Sequence, residues 1–248
     1  MEYFRSEAVT IHHADCLDVL EEWRITGLGF DHAICDPPYS AHVHARHRTN
    51  AGTSGAEGGA AKDLGFEHLS PETMLGVAGL LSALVRRWVL VFSDLESAHL
   101  WRAALEFSGL EHVRTGAWLK RGAMPQITGD RPGSALEAIT ICHRPGRKRW
   151  NGGGKGNVWE AAVPRASKGR VHPTEKPLDL MRQLVLDFTD LDDVILDPFA
   201  GSGSTGRAAV SEGRIAVLIE RDERWCAEAA SRFGASVPQR GGQTGLAW

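Results

Sequence analysis

A doubly wound α/β fold, with a mostly parallel sheet covered by helices on both faces, is predicted by three observations on the 248-residue sequence. Short apolar runs rich in β-branched residues alternate with segments of helical periodicity. Two of these runs end in an Asp-Pro step, DPPY at 36–39 and DPFAGSG at 197–203, at the strand end where such a sheet opens its ligand crevice. The second then turns through glycines into a helical pattern, which is followed by another strand ending in Glu220.

The elements follow in order. Strands are expected at Ala8–His12, His32–Cys35, Trp88–Phe92, Gly116–Leu119, Ala138–Cys142, Val194–Leu196 and Ile215–Ile219, where apolar runs are bounded by turn residues. Apolar spacings of three and four predict helices over Asp15–Trp23, Pro71–Arg86, Leu95–Phe107, Pro177–Phe188, Thr205–Glu212 and Glu223–Phe233. Residues 1–235 are read as one catalytic domain carrying two irregular segments. Residues 40–63 hold four glycines within Gly52–Gly59 and little to bury, which predicts a mobile loop. Residues 143–172, with RWNGGGKGN inside them, read as a surface insertion, and 236–248 as a frayed tail.

Composition narrows the function. With 42% hydrophobic and 24% charged residues and no long apolar run, the chain reads as soluble. The N-terminus lacks a basic segment followed by an apolar one, so a cytoplasmic location is expected. Cys16, Cys35, Cys142 and Cys226 form no C-x-x-C pair, which argues for reduced thiols rather than disulfides or a zinc ribbon. His42, His44 and His47 have no Cys or carboxylate partner nearby, so no metal is expected. GGGKG at 152–156 is no P-loop, because Gly rather than Ser or Thr follows the Lys and no strand leads into it. The net charge of −3 hides an uneven distribution: from Arg144 to Lys176 there are nine Lys/Arg against two acids. A basic stretch of that kind suits a phosphate backbone.

Both Asp-Pro sites have readable chemistry. At the first, Pro37 and Pro38 fix a rigid corner and leave carbonyls free to accept. Asp36, a proline carbonyl and the Tyr39 ring together suit an exocyclic amino group: two acceptors for its two N–H bonds and a face for its ring. At the second, Gly201, Gly203 and Gly206 permit a tight turn, Ser204 and Thr205 are placed to cap the following helix, and Glu220 stands where an acid binds ribose hydroxyls. The glycine spacing fits dinucleotides and S-adenosylmethionine equally, so a nicotinamide-dependent oxidoreductase stays open on spacing alone.

The combination resembles a known family. DPPY at Asp36, FAGSG at Phe199–Gly203 and HPTEKP at His172–Pro177 are similar to the catalytic, cofactor and pre-cofactor motifs of the amino-methylating DNA methyltransferases, in the order of their β-class. The resemblance spans about residues 8–233 and implies a Rossmann-like sheet of seven strands with one antiparallel strand. It implies a methyl transfer from S-adenosylmethionine to adenine N6 of a flipped base in double-stranded DNA. Cytosine N4 is the runner-up, since cytosine enzymes of the family more often carry Ser first. RNA or a protein amide is a further alternative, as is a catalytically dead DNA-binding relative. By the same resemblance Asp36, Pro37, Pro38 and Tyr39 are the target-base residues. Phe199, Gly201, Gly203, Ser204 and Thr205 form the cofactor loop with Asp197 before it, and Glu220 is the ribose ligand. Asp15 and Cys16 approach the cofactor adenine, and Thr174 and Lys176 its methionine end.

For DNA, contacts are expected from His42, Arg46 and Arg48 of a loop closing over the flipped base, and from Arg147, Lys148, Arg149 and Lys155 of the insertion. Trp150 is a candidate to stack on or wedge into the duplex. The insertion is barely thirty residues long, which argues against a long recognition site. Pairing with a restriction endonuclease, and monomer against homodimer, are left open.

Overall fold

The computed structural model describes residues 1–38, 69–123, 129–164 and 175–234. The expected mobile loop 40–63 and tail 236–248 lie outside these residues, as do Tyr39, His42, Arg46, Arg48 and Thr174.

The apolar runs become strands: β1 (Glu2–Arg5), β2 (Val9–His13), β3 (His32–Cys35), β4 (Trp88–Ser93), β5 (Glu111–Arg121), β6 (Leu136–His143), β7 (Val158–Ala162), β8 (Val194–Asp197) and β9 (Ile215–Glu220). They form one sheet in the order β1-β2-β9-β8-β3-β4-β6-β5-β7. Between and after them lie α1 (Cys16–Thr26), α2 (Pro71–Leu84), α3 (Ala98–Phe107), α4 (Leu178–Phe188), α5 (Ser204–Ser211) and α6 (Glu223–Arg232). The alternation of strand side chains sorts the core into two layers. Trp88, Leu90 and Phe92 of β4 pack with α4, α5 and α6, whereas Val89 and Val91 pack with α1, α2 and α3. The doubly wound α/β architecture is therefore present, helices on both faces.

The sheet differs from the expected one in size. Nine strands are present among the described residues where seven were expected, and two of them, β1 and β6, run against the rest. β1 was missed because its four residues, EYFR, carry no clear alternation. β7 was missed because it lies inside the basic segment read as a surface insertion. That reading is corrected: Val158–Ala162 pairs in parallel with β5, and its burial alternates with Trp159 and Ala161 inward. The local signal was the alternation VWEAA, masked by the glycines and charges before it.

Helix ends follow their caps. Asp15 Oδ1 accepts the N–H of Leu17 at 2.8 Å, and Gly27 ends α1 in the left-handed region at φ 78°. Pro71 opens α2 behind the Ser70 cap. α2 stops at Leu84 rather than Arg86, because Val85 turns extended and bridges Phe30. α3 starts at Ala98 rather than Leu95, because Asp94 Oδ1 accepts the Ser97 N–H at 2.7 Å and holds a turn first. No helix among the described residues is long and apolar enough to cross a membrane.

The segment leading into β7 is held by one buried carboxylate. Asp187, on α4 and 2% exposed, accepts the Trp159 indole N–H at 2.9 Å and the Lys155 ammonium at 2.6 Å. Asp187→Ala leaves a buried indole N–H without its acceptor, which should cost about 2–3 kcal/mol and lower the melting midpoint by several degrees. Thermal unfolding followed by circular dichroism checks this. An unchanged midpoint would mean that strand pairing with β5 and apolar contacts hold residues 151–162 without this carboxylate.

Candidate active site

Parallel pairing aligns the carboxyl ends of β2, β9, β8 and β3 along one rim, and the register decides which residues meet there. His13 lies opposite Glu220, Asp197 opposite Leu218, and Ala33 opposite Leu196. The residues just past those strand ends therefore fall in spatial order: Asp15, Glu220, the turn 198–203, and Asp36. Positions far apart in sequence form one crevice for that reason.

At the cofactor end the backbone is tightly tied. Phe199 N–H donates to Asp197 Oδ1 at 3.0 Å, Gly201 N–H to Glu220 Oε2 at 2.8 Å, and Asp222 N–H to Glu220 Oε1 at 2.8 Å. Gly203 sits at φ 82°, where a Cβ would also approach the Ala229 Cβ to 3.1 Å. Gly206 lets α5 lie on the sheet, since a Cβ there would come within 2.7 Å of Leu218 Cδ1. The expected capping by Ser204 and Thr205 is not what the structure has. Gly203 is the N-cap and makes no side-chain cap bond, while the buried Thr205 hydroxyl bonds the Asp197 carboxylate instead. Glu175 pairs with Arg232 at 2.6 Å, and Arg232 also donates to the Ser202 carbonyl at 3.2 Å. That link ties the segment before α4 to the glycine turn.

Three carboxylates converge on this rim with their titration raised. Burial is the main cause for Asp197, pushing it up to about 7 against the Thr205 hydroxyl and the Phe199 N–H. Burial also raises Glu220, against the N–H groups of Asp222, Gly201 and Arg221. For Asp36 burial pushes up, Lys176 pulls back and Glu137 pushes up again. Burial, helped by Asp15, raises the Cys16 thiol to about 12, so this residue is a neutral neighbour at the Asp15 end.

At the base end, Asp36 Oδ2 accepts the Lys176 ammonium at 2.5 Å, while Oδ1 is buried and has no hydrogen-bond partner among the described residues. Lys176 also lies 3.1 Å from Glu137 Oε2 on β6, and Glu137 Oε1 lies 2.8 Å from the Lys120 ammonium on β5. Glu137 and Lys120 were not singled out from the sequence. The available signal was an acid inside an otherwise apolar strand, LEAITICH, which is buried only when paired.

The structure brings Asp36, Pro37, Pro38, Lys176, Asp197, Phe199, Gly201, Gly203, Ser204, Thr205, Glu220, Asp15 and Cys16 to the same end of the sheet. It does not bring the insertion's cations there. β6 runs antiparallel, with Trp88 at the start of β4 opposite His143, so the chain leaves β6 at the far end. Arg147, Lys148, Arg149 and Trp150 follow, roughly 15 Å or more from Asp36 along the strands. The Trp88 indole donates to the Arg149 carbonyl at 2.7 Å, Arg149 pairs with Asp190 at 3.1 Å, and Lys148 pairs with Glu111. Lys155 pairs with Asp187. The Trp150 ring packs edge-on against Phe188 and donates its N–H to Gly153, so it is a packing residue here rather than an exposed wedge.

The donor set fits one of the two cofactors left open. Asp197 and Glu220 stand beside the glycine turn and Asp36 beyond them, with Lys176 as the ammonium among them. An anionic crevice complements the positively charged sulfur and amino group of S-adenosylmethionine. Among the described residues no group of three or more His, Cys, Asp or Glu is placed to hold a metal ion.

Comparison with known proteins agrees. The profile of the N6/N4 DNA methylase family matches residues 30–231. The Type II methyltransferase M2.LlaDCHI of Lactococcus lactis subsp. cremoris is 26% identical over 251 residues, which cover 93% of this chain and 91% of that protein. A stretch of 67 residues is 42% identical to the Type II methyltransferase M2.MboI of Moraxella bovis, covering 27% of this chain and 24% of the other. Among solved structures, M1.HpyAVI in complex with SAM has a similar fold, with a TM-score of 0.71 and 21% identity over 92% of this chain and all of that one. So does the cytosine-N4-specific PvuII DNA methyltransferase, with a TM-score of 0.70 and 14% identity over 92% and 87% of the two chains. The chain belongs to the N6/N4 family of DNA methylases, enzymes that use S-adenosylmethionine to methylate amino groups of DNA bases.

Proposed function

We propose that this protein methylates the N6 amino group of an adenine flipped out of double-stranded DNA. The observation that carries the reading is Asp36 Oδ1, a buried carboxylate oxygen at the rim of the sheet with no partner among the described residues. An amino group is a donor that suits it. The preference for adenine rests on Asp rather than Ser opening DPPY, as in the resemblance.

The roles proposed are those the family resemblance implies, with the described residues among them lying at the carboxyl end of the sheet. S-adenosylmethionine, when bound, supplies a methyl group made electrophilic by its positively charged sulfur. Glu220 takes the ribose hydroxyls, Asp15 and Cys16 flank the adenine, Asp197 and the turn Phe199–Thr205 hold the methionine end, and Thr174 completes it. Asp36 accepts one N–H of the target amino group and the Pro37 carbonyl accepts the other, while Pro38 stiffens the corner and Tyr39 stacks on the base. Two acceptors on one amino group raise electron density at its nitrogen and stabilise the positive charge that grows there. Asp36 need not take a proton before attack.

DNA is proposed to approach the carboxyl end of the sheet. Arg121, 68% exposed at the end of β5 and paired with Glu160 at 2.8 Å, is the described cation best placed to meet phosphate. His42, Arg46 and Arg48, which follow DPPY directly in the chain, are proposed to add to it. Arg147, Lys148, Arg149 and Lys155, at the far end, contribute a screened field rather than contacts.

Three outcomes are expected. Asp36→Ala should abolish methyl transfer while S-adenosylmethionine affinity, read by calorimetry, changes little. Digestion of DNA labelled by the intact enzyme should release N6-methyladenine. Release of N4-methylcytosine would overturn the adenine reading, and label appearing with Asp36→Ala would overturn the base site.

Cofactor affinity should depend on pH through Asp197. A bound cation favours the charged carboxylate, whose titration lies at about 7, so affinity is full above that value and lost as pH falls through it. A drop of roughly tenfold from pH 8 to pH 6 is expected by calorimetry. Equal affinities would remove Asp197 from the cofactor's charged contacts.

Arg121→Gln should reduce the salt slope of DNA binding by about one unit, whereas Lys148→Gln with Arg149→Gln should leave it unchanged. The opposite pattern would place the duplex at the far end of the sheet.

A further inference from the structure

Asp36 is the first member of a line of alternating charges across the carboxyl end of the sheet. Lys176 Nζ touches Asp36 Oδ2 at 2.5 Å and Glu137 Oε2 at 3.1 Å, and Lys120 Nζ touches Glu137 Oε1 at 2.8 Å. The side chains are 22%, 5%, 12% and 18% exposed for Asp36, Lys176, Glu137 and Lys120. Lys176 also lies 5.1 Å over the Phe92 ring, and Lys120 5.4 Å over the Trp118 ring. The line joins four elements of the chain: the end of β3, the approach to α4, β6 and β5.

Enclosing four charges is a poor way to gain stability, because apolar side chains of the same volume stabilise as well or better. What the line supplies is an oriented field. A lone Lys–Asp pair would neutralise the carboxylate against the positive charge that grows on the target amino nitrogen. Glu137 shares the ammonium and draws its charge away from Asp36, and Lys120 balances Glu137 on the far side. The negative end of the line then faces the base.

We infer that Lys176 and Glu137 are positioning residues for methyl transfer: Lys176 clamps Oδ2 of Asp36 so that Oδ1 faces the amino group, and Glu137 holds Lys176 in that place. The inference rests on the reading of Asp36 as the acceptor for the target base. It takes Lys176 away from the methionine end of the cofactor, where resemblance had put it, and gives Glu137 a function that no motif assigns. Among the described residues, the charged groups acting on Asp36 are Lys176, Glu137 and Lys120, and the Asp36 charge in turn raises Asp197 on β8 and Cys35 on β3.

The test uses the full chain, tritiated S-adenosylmethionine and DNA in single turnover, with cofactor affinity by calorimetry and folding by circular dichroism. Lys176→Met should slow methyl transfer about 100-fold and Glu137→Gln about tenfold, with cofactor affinity within about twofold of the parent in both. Lys176→Arg should recover part of the rate, since it restores a cation. Because Glu137 acts through Lys176, the double variant should be no slower than Lys176→Met alone within about threefold. The acid limb of the rate profile should move to higher pH in Lys176→Met, because Asp36 without its cation holds a proton more tightly. Unchanged rates, losses that multiply in the double variant, or losses that track cofactor affinity would each overturn the inference. If Lys176→Met fails to fold, the nearly isosteric Glu137→Gln decides, and a parental rate there overturns it. Asp36→Ala separates the two readings. An active Asp36→Ala removes the base site itself, whereas an inactive one beside fully active Lys176→Met and Glu137→Gln removes only the clamp.

Discussion

The chemistry of the protein hangs on the parallel register of β9, β8 and β3. In a parallel sheet every strand delivers its carboxyl end to the same rim, so a side chain placed just past a strand end has its neighbours chosen by register and not by sequence distance. Glu220 closes β9, Asp197 closes β8, and Asp36 follows β3. A slip of one residue would turn each side chain to the other face of the sheet. The buried alternation of β3 and β4, with Ile34, Leu90 and Phe92 to one layer and Ala33, Cys35, Val89 and Val91 to the other, locks that register in place.

Collecting carboxylates in a poorly solvated crevice has an electrostatic cost, visible in the raised titration of Asp36, Asp197 and Glu220. Two devices offset it. Backbone N–H groups from Phe199, Gly201 and Asp222 are turned onto Asp197 and Glu220 by the glycine loop and the cap of α6. Lys176 is turned onto Asp36. What negative charge remains is the complement of a cationic cofactor, so the same burial that raises these carboxylates favours a cation beside them.

The reversed strand β6 has an equal influence on the opposite surface. Because it enters at the rim with Leu136 and leaves at the far end with His143, it puts Glu137 beside Lys176 and carries the basic segment after it away from the crevice. The chain returns to the rim only through β7, which ends beside Arg121. A cluster of cations next to a methylase motif in sequence is thus separated from it by the length of a strand, and its members settle into ion pairs with Glu111, Asp190 and Asp187.

The amino-acid sequence by itself determined the alternation of strands and helices, the two Asp-Pro strand ends, the left-handed glycine turn and the acid that answers it at Glu220. Each is written in a few adjacent residues, through side-chain periodicity, the φ freedom of glycine or the stiffness of proline. Tertiary structure alone decided what no local pattern encodes. The direction of β6 depends on which strands flank it, β1 carries no alternation to read, and the inward turn of Trp159 is masked by the glycines before it. The partner of Asp36 lies 140 residues away, and Glu137 reads as a mere exception in an apolar strand until Lys176 is brought beside it. Pairing of buried charges is a matter of distance in space, and only the folded sheet sets that distance.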